Sequence, residues 1–347
     1  MTTSANRYEY IDIAKGIGIL LVVWAHILLV GWTHRFIYAF HMPLFFFISG
    51  YLFKSNKYNS FKDFFKKRFK RLIIPYLIYS VFTWTIWAIF RYITHSDVES
   101  YFMPLVQTVI AQGSGEFLVH NSALWFIPCL FAVEILYYFI CKTGDFAAII
   151  ICIAFAVFNS MMASFYGDSY MFTLPWNLDA AFYALPFYGI ANTIQKHYSH
   201  EQLLTKVKQN PMIAILIAVM LTAILYYLSN FFRECSMGSS SYQCDFYIFI
   251  IRAFFGCFAV IIFSMLLTNL HIPKLITKPL SWCGRNSLDI MCLHIPIKGF
   301  AIILATKLIH PTIEVSESGP LSTIVFIVTM LVCIPITIFI NRYIRKQ

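Results

Sequence analysis

Apolar segments long enough to cross a bilayer recur along the whole chain, and this feature limits the possible fold more than any other. A helix needs about 20 mostly apolar residues to span the hydrocarbon core. Inside a bilayer the backbone must satisfy its own hydrogen bonds, which a helix does within one segment. The sequence therefore predicts an all-α, polytopic membrane protein. About ten transmembrane helices are expected, near residues 11–32, 36–53, 72–93, 123–141, 146–165, 176–194, 211–231, 246–267, 287–309 and 321–340.

The composition agrees with a membrane location and argues against a soluble domain. Hydrophobic residues make up 59% of the chain and charged residues only 12%, whereas soluble proteins have about 25% charged residues. A net charge of +10 is also found in nucleic-acid-binding proteins, but here the basic residues cluster in short loops, where they set membrane orientation. We expect the lipid bilayer as the surroundings and no nucleic acid as a partner.

Lysine and arginine are concentrated on one side of the predicted membrane. Residues 54–71 contain eight of them and a single acid, and 196–210 and 271–285 are basic as well. Placing these loops on the cytoplasmic side puts 20 of the 26 basic residues at that face. By the positive-inside rule both termini are then cytoplasmic. We expect a multi-pass protein of a bacterial-type cytoplasmic membrane.

The chain is expected to form one transmembrane domain over residues 1–347, with no separate soluble domain. Its polar start lacks the basic region of a cleavable signal peptide. The apolar stretch 101–112 is too short to cross and predicts an interfacial or re-entrant piece.

The cysteines indicate no metal site. Seven of the nine lie in or beside apolar segments, where cysteine behaves as a small hydrophobe. No Cys-x-x-Cys pair or Cys/His cluster occurs. Cys235 and Cys244 bracket a polar loop, and they form a disulfide only if that loop faces an oxidising compartment.

The first apolar segment carries ionisable side chains along one stripe. Eleven helical steps separate Lys15 from His26, which places the two residues within roughly 20° of one face and about 16 Å apart. Asp12 lies within about 40° of the same stripe. Ionisable groups inside a membrane span are costly and indicate function by default. The stripe predicts a site that extends from Lys15 to His26.

Two further histidines lie inside predicted spans. A turn at Thr33 to Arg35 joins the first two segments, so His26 and His41 are expected at similar depth in the outer half. His294 lies roughly 9 Å into the ninth segment from its cytoplasmic end, by helical rise. Each histidine is either a catalytic group or a polar contact between helices.

Five blocks resemble motifs of membrane acyltransferase family 3, in the same order along the chain. They are Asp12-x-x-Lys15-Gly16 with His26, Phe40 to Gly50, Arg68-x-x-Arg71 before Pro75-Tyr76, Leu124-Trp125-Phe126, and Gly284 to His294. The first resembles the [Arg/Lys]-x10-His signature of that family. The second resembles the second-helix motif of its fucose 4-O-acetylase-like branch, and the third is similar to the basic entrance of the third helix.

This resemblance implies an O-acyltransferase that moves an acetyl group from cytosolic acetyl-CoA to a hydroxyl of an extracytoplasmic or lipid-linked sugar or glycan. His26 is then the catalytic base or the acyl carrier, with Asp12, His41 and His294 as further catalytic candidates. Arginine binds phosphate with a bidentate fork. The phosphates of acetyl-CoA are therefore assigned to Lys15, Arg68 and Arg71. Asn177, Tyr38 and His41 are candidate donors to an oxyanion.

Other interpretations of the same residues stay open. A transporter or exporter of a glycan or small anion would use the same buried polar groups as a pathway. A juxtamembrane arginine cluster such as Arg68 and Arg71 also sets topology or binds anionic lipid, and Lys15 can extend to the interface beside Asp12. The acceptor, the length of the acyl group and the oligomeric state are not determined by the sequence.

Overall fold

The protein is helical throughout the part that the structure describes. We describe a computed structural model over residues 8–29, 31–112, 118–166, 174–232, 235–238, 241–242, 246–270, 272–309 and 314–344. A two-residue antiparallel pairing joins Cys235–Ser236 to Ser241–Tyr242. Cys244 lies outside the described residues, so its predicted pairing with Cys235 stays a prediction.

The helices follow one another along the chain with short connections. In order they are α1 Glu9–Ala25, α2 Gly31–Tyr38, α3 His41–Tyr51, α4 Phe61–Arg68, α5 Ile74–Ile93, α6 Met103–Ile110, α7 Phe126–Ile140, α8 Asp145–Tyr166, α9 Leu178–His197, α10 His200–Gln209, α11 Pro211–Phe231, α12 Phe246–Asn269, α13 Lys274–Arg285, α14 Ser287–Ile309 and α15 Gly319–Phe339. A π-helical turn, Phe69–Ile73, makes α4 and α5 continuous.

Seven helical segments among the described residues are long and apolar enough to cross a membrane. They are Phe61–Ile93, Ser122–Ile140, Asp145–Phe165, Pro211–Phe231, Phe246–Asn269, Ser287–Ile309 and Gly319–Tyr343. The polytopic character predicted from the sequence is therefore supported. The predicted total of about ten, which also counts α1, α3 and α9, and the cytoplasmic position of both termini stay predictions. The short α6 agrees with the prediction that residues 101–112 are too short to cross.

Three of the helices outside that set of seven, α1, α3 and α9, lie in the interior of the bundle. Ten of the eleven residues of α3 are buried, and α1 and α9 are buried along most of their length. By contrast, only 22% of the most apolar 18-residue stretch of α11 is buried inside the protein. Because other helices surround α1, α3 and α9, their side chains meet protein instead of lipid and can be more polar. The interior helices carry most of the predicted site residues.

The first predicted hairpin differs from the structure. The expected continuous spans 11–32 and 36–53 are replaced by α1, α2 and α3, with breaks after Ala25 and Tyr38. Gly31 has φ +88°, a left-handed conformation that cannot continue a right-handed helix. His26 and His41 consequently lie at helix ends, where His26 follows the last residue of α1 and His41 is the first residue of α3.

A close crossing joins the start of the chain to its last third. The sequence analysis treated residues 271–285 as a cytoplasmic loop, but most of this stretch forms α13, which packs against α1. A Cβ added to Gly16 would overlap the carbonyl oxygen of Leu280, and one added to Gly284 would overlap that of Asp12. Glycine at both positions lets the two backbones touch.

Candidate functional site

The end of α1 brings two imidazoles together. His26 is half-buried, and its ring centroid lies 5.1 Å from that of His294, which is fully buried in α14. The chain folds this way locally because α1 stops at Ala25, which places His26 at the helix terminus facing α14. Two of the predicted site residues are therefore direct neighbours.

The ring of Tyr38 connects further histidines to this pair. Its centroid lies 6.5 Å from His26, 4.7 Å from His41 and 4.0 Å from His34. His41 and His34 are both buried. His34 was not among the predicted site residues, although its position in the turn between the first two segments placed it near His26 and His41. We call His26, His34, His41 and His294 the imidazole cluster.

The hydrogen bonds of two cluster members fix which ring nitrogen carries the proton. His294 Nδ1 lies 2.8 Å from the Met291 carbonyl oxygen and 3.1 Å from that of Ile290. His41 Nδ1 lies 2.9 Å from the Ile37 carbonyl oxygen. A carbonyl only accepts, so Nδ1 carries the proton in both rings and Nε2 of the neutral ring is an acceptor.

The Nε2 atom of His294 is positioned as a hydrogen-bond acceptor inside the site. It is buried, and no hydrogen-bond donor reaches it within the described part of the chain. A buried imidazole nitrogen with a lone pair and a fixed tautomer is suited to accept a proton from a hydroxyl. The His26 ring beside it is a second candidate for the same proton.

Lys298 anchors the end of α1. Its Nζ donates to the carbonyl oxygen of His26 at 2.6 Å, and the side chain is half-buried. The last carbonyls of a helix lack intrahelical partners and carry the negative end of the helix dipole, so an ammonium group there is favourable. Lys298 follows His294 by one helical turn in α14.

A proline in α14 explains a second contact that the sequence analysis did not predict. Pro296 has no N–H, so the carbonyl of Cys292, four residues earlier, loses its helical donor. Asn121 fills this role, since its Nδ2 donates to the Cys292 carbonyl oxygen at 2.6 Å. Asn121 is fully buried. The contact holds the segment before α7 against the helix that carries His294.

Asp12 and Lys15 lie in the first half of α1, as predicted. Asp12 is buried and Lys15 is half-buried. The helix is regular from Glu9 to Ala25, so the predicted separation of about 16 Å between Lys15 and the end of α1 is maintained by helical rise. These two residues therefore lie apart from the imidazole cluster, along the same helix.

The two predicted arginines have different surroundings. Arg68 Nε lies 3.1 Å from Glu134 Oε2, with side-chain exposures of 12% and 4%. Glu134 lies in α7, so the pair joins α4 to α7. Arg71 is exposed. Because a carboxylate already compensates the guanidinium of Arg68, Arg71 is the better candidate for binding a phosphate group.

Asn177, predicted as a possible oxyanion donor, is buried at the residue before α9. Its Nδ2 contacts the Gly238 carbonyl oxygen at 3.5 Å, and its backbone has φ +49°. Of the other two predicted oxyanion donors, His41 is a member of the imidazole cluster and Tyr38 contacts three of its rings. Within the described ranges, no group of three or more His, Cys, Asp or Glu side chains is arranged to hold a metal ion.

A tyrosine and histidine cluster lies at the opposite end of α1. The Tyr10 hydroxyl contacts His200 Nδ1 at 2.7 Å and donates to the Tyr51 hydroxyl at 3.1 Å. The Tyr8 ring stacks on His200 at a centroid distance of 3.2 Å. Burial, assisted by the charge of Lys54, lowers the pKa of His200 to about 4. These contacts join α10 to the start of α1 when the imidazole is neutral.

Comparison with known proteins gives one match. A family model described as an acyltransferase domain, the acyltransferase 3 model, matches residues 8–339. Neither the curated proteins nor the solved structures contain a significant match to this chain.

Proposed function

The chain belongs to the acyltransferase 3 family, and from this premise we propose that it is an integral-membrane O-acyltransferase that uses acetyl-CoA as donor. Its helices are long and apolar enough for a membrane protein. The observation that carries the proposal is the pair His26 and His294, with ring centroids 5.1 Å apart. One imidazole nitrogen of this pair, His294 Nε2, has no donor among the described residues.

The reaction needs one proton acceptor and one oxyanion donor. As the hydroxyl oxygen of the acceptor attacks the thioester carbonyl, its proton passes to an imidazole nitrogen of His26 or His294. The C–S bond then breaks, an ester C–O bond remains, and the proton passes to the leaving thiolate of coenzyme A. In the alternative route a ring nitrogen of His26 first attacks the thioester carbonyl, the C–S bond breaks, and coenzyme A leaves as the thiol with the proton from the other ring nitrogen. The acceptor hydroxyl then attacks the acyl-imidazole, the C–N bond breaks, and the hydroxyl proton returns to the imidazole. Tyr38 is suited to donate to the oxyanion.

The geometry supports His294 as an acceptor whose tautomer is fixed in advance. Its Nδ1 is bonded to backbone carbonyls of its own helix, so Nε2 needs no rearrangement before it takes a proton. Lys298 holds the His26 backbone in place. We propose that Lys298 is a positioning residue, because its contact is to the backbone of His26 and not to the reacting atoms.

The donor is proposed to enter along α1 from the side that the sequence predicts to be cytoplasmic. Lys15 and Arg71 fit the phosphates of acetyl-CoA, since both are cationic, Lys15 lies in the first half of α1, and Arg71 is exposed. Arg68 is proposed to act by shaping this entrance. The acceptor is proposed to be a sugar or glycan hydroxyl on the extracytoplasmic side, in a bacterial-type cytoplasmic membrane.

The proposed function can be tested with the full chain in membranes. Membranes that contain the protein should move radiolabel from acetyl-labelled coenzyme A to an alkali-labile ester, and the purified protein should bind acetyl-CoA. His26→Ala should abolish transfer and leave the unfolding temperature unchanged within a few degrees. Transport of a glycan without acetyl transfer would support the exporter interpretation instead. Full transfer by His26→Ala would exclude His26 from the mechanism.

A further inference from the structure

An apolar groove of about 850 Å³ runs between α1, α2, α11 and α12. Trp24 contributes from α1, Phe40 from the turn between α2 and α3, Tyr226 from α11 and Phe263 from α12. The few polar side chains of the lining include Thr222, whose hydroxyl already donates to the Ala218 carbonyl oxygen at 2.8 Å. The lining therefore suits a hydrocarbon and offers little to a polar ligand.

The groove opens on the lipid-facing surface of the protein. Val219 is 61% exposed, Trp32 50% and Phe263 49%, and α11 and α12 both lie in segments apolar enough to cross the membrane. An apolar groove open to the bilayer core is filled by hydrocarbon, since water is not stable there. Its occupant is thus the chain of an amphiphile.

The groove has the depth of one leaflet. From Ala218 to Tyr226 it follows eight residues of α11, or about 12 Å of helical rise, compared with about 15 Å for half of the hydrocarbon core. Trp32 and Tyr226 meet edge to face at its end, with centroids 5.2 Å apart. Trp and Tyr are typical of the membrane–water interface, so this end is where the polar head of an amphiphile would emerge.

One helix separates the groove from the imidazole cluster. Phe36 and Ile37 of α2 line the groove, whereas His34 and Tyr38 of the same helix contact each other on the side of His26 and His41. Because an α-helix is about 10–12 Å across, a head group at the end of α2 can reach the cluster while its chain stays in the groove.

We propose that the groove binds the hydrocarbon chain of the acyl acceptor, so that the acceptor is a membrane-anchored amphiphile with a hydroxyl-bearing head. This inference rests on the proposed acyltransferase function and narrows its substrate class. The shared wall formed by α2 favours the acceptor over bulk phospholipid, because a chain held there places its head beside the reacting imidazoles. A freely soluble sugar would make no use of the groove.

The test uses membranes that contain the full chain and acetyl-labelled coenzyme A. After reaction, lipids are extracted into organic solvent, and label is counted in the lipid and aqueous phases. Ala223→Trp places an indole in the groove from an exposed position of α11. Leu216→Trp is the matched control, since Leu216 is 64% exposed on the same helix and does not line the groove. Acetyl-CoA binding and unfolding temperature are measured for both variants.

The expected result is label in the lipid phase, reduced at least about tenfold by Ala223→Trp and unchanged by Leu216→Trp, with acetyl-CoA binding retained by both. Label confined to water-soluble products would overturn the inference while leaving the acyltransferase function intact. Lipid-phase label that Ala223→Trp does not reduce would also overturn it, and would assign the groove to bulk phospholipid. Absence of acetyl transfer in both phases, together with absence of acetyl-CoA binding, would instead contradict the proposed function itself.

Discussion

His26 and His294 lie with their ring centroids 5.1 Å apart, although they come from the first and the fourteenth helix of the chain. At this distance a single substrate atom between the rings could contact both imidazoles. If both serve one proton transfer, their effects on rate should not be additive.

We therefore predict that His26→Ala and His294→Ala each lower acetyl transfer by at least about 100-fold, the lower end of the range for general acid–base catalysis. The double variant should be no slower than the slower single variant. Initial rates with saturating acetyl-CoA measure this. If the rate loss of the double variant equals the product of the two single losses, the two imidazoles act in separate steps. Retained binding of acetyl-CoA by each variant is the control for folding.

Lys298→Met should destabilise the protein and weaken catalysis without abolishing it. The change removes the donor to the His26 carbonyl at the end of α1, and hydrogen bonds from charged groups contribute about 1.5–3 kcal/mol. Lys298→Arg keeps a cationic donor and should recover part of the loss. Thermal unfolding in detergent and transfer rates are measured together. A variant with full activity and a lower unfolding temperature would assign Lys298 to stability alone.

Asn121 and Pro296 should be energetically coupled. Asn121→Ala removes the amide that donates to the Cys292 carbonyl oxygen, and losing the partner of a buried polar group costs about 1–3 kcal/mol. Pro296→Ala supplies an N–H to the same carbonyl within α14. The loss of unfolding free energy caused by Asn121→Ala should therefore be smaller in the Pro296→Ala variant than in the natural chain. A double-mutant cycle of unfolding free energies measures the coupling, and equal losses in both backgrounds would remove this explanation of Asn121.

Glu134→Gln should destabilise the protein strongly. It leaves Arg68 as a buried charge without its carboxylate, and breaking a buried ion pair typically costs about 3–5 kcal/mol. Arg71→Ala is the matched comparison, because Arg71 is exposed. That variant should unfold like the natural protein but bind acetyl-CoA more weakly. Chemical denaturation measures the change in stability, and acetyl-CoA titration measures the change in binding. An unchanged free energy of unfolding in Glu134→Gln would contradict the structural role of the Arg68–Glu134 pair.

Stability should depend on pH through His200. Burial lowers its pKa in the folded protein from 6.5 to about 4, so between these values the unfolded chain binds more protons than the folded one. The stabilisation is complete above about pH 6.5 and is lost as the pH falls toward about 4. We expect the unfolding temperature to drop less between about pH 7 and pH 5 in His200→Gln than in the natural chain. If the unfolding temperatures of the two proteins fall equally between these pH values, His200 is excluded as the titrating group.

Hydropathy was sufficient to predict the helical, polytopic class, because lipid-facing helices must be long and apolar. It was insufficient for the first hairpin. Apart from Asp12, Lys15 and His26 the segment 11–32 is apolar, and hydropathy does not detect the left-handed backbone of Gly31 or the end of α1 at Ala25. The helix boundaries there depend on how α2 packs between its neighbours.

Contacts between distant segments account for what the sequence analysis missed at the site. Spacing along α1 related Lys15 to His26, but the approach of His294 to His26 depends on how α14 packs against α1. Pro296 did indicate that the Cys292 carbonyl needs a donor, and only the tertiary structure identifies Asn121. The pairing of Arg68 with Glu134 likewise joins two segments that no local pattern connects.

The glycine crossing of α1 and α13 has a consequence for the order of assembly. During synthesis α1 enters the membrane among the first segments, with Asp12 and Lys15 on it, whereas Gly284 and α14 follow only after most of the chain has been inserted. His26 therefore acquires its partners His294 and Lys298 late. A nascent or truncated chain that ends before α13 contains every residue of the first helix but lacks His294 and Lys298, so under the proposed function acyl transfer begins only when the last third of the protein has docked.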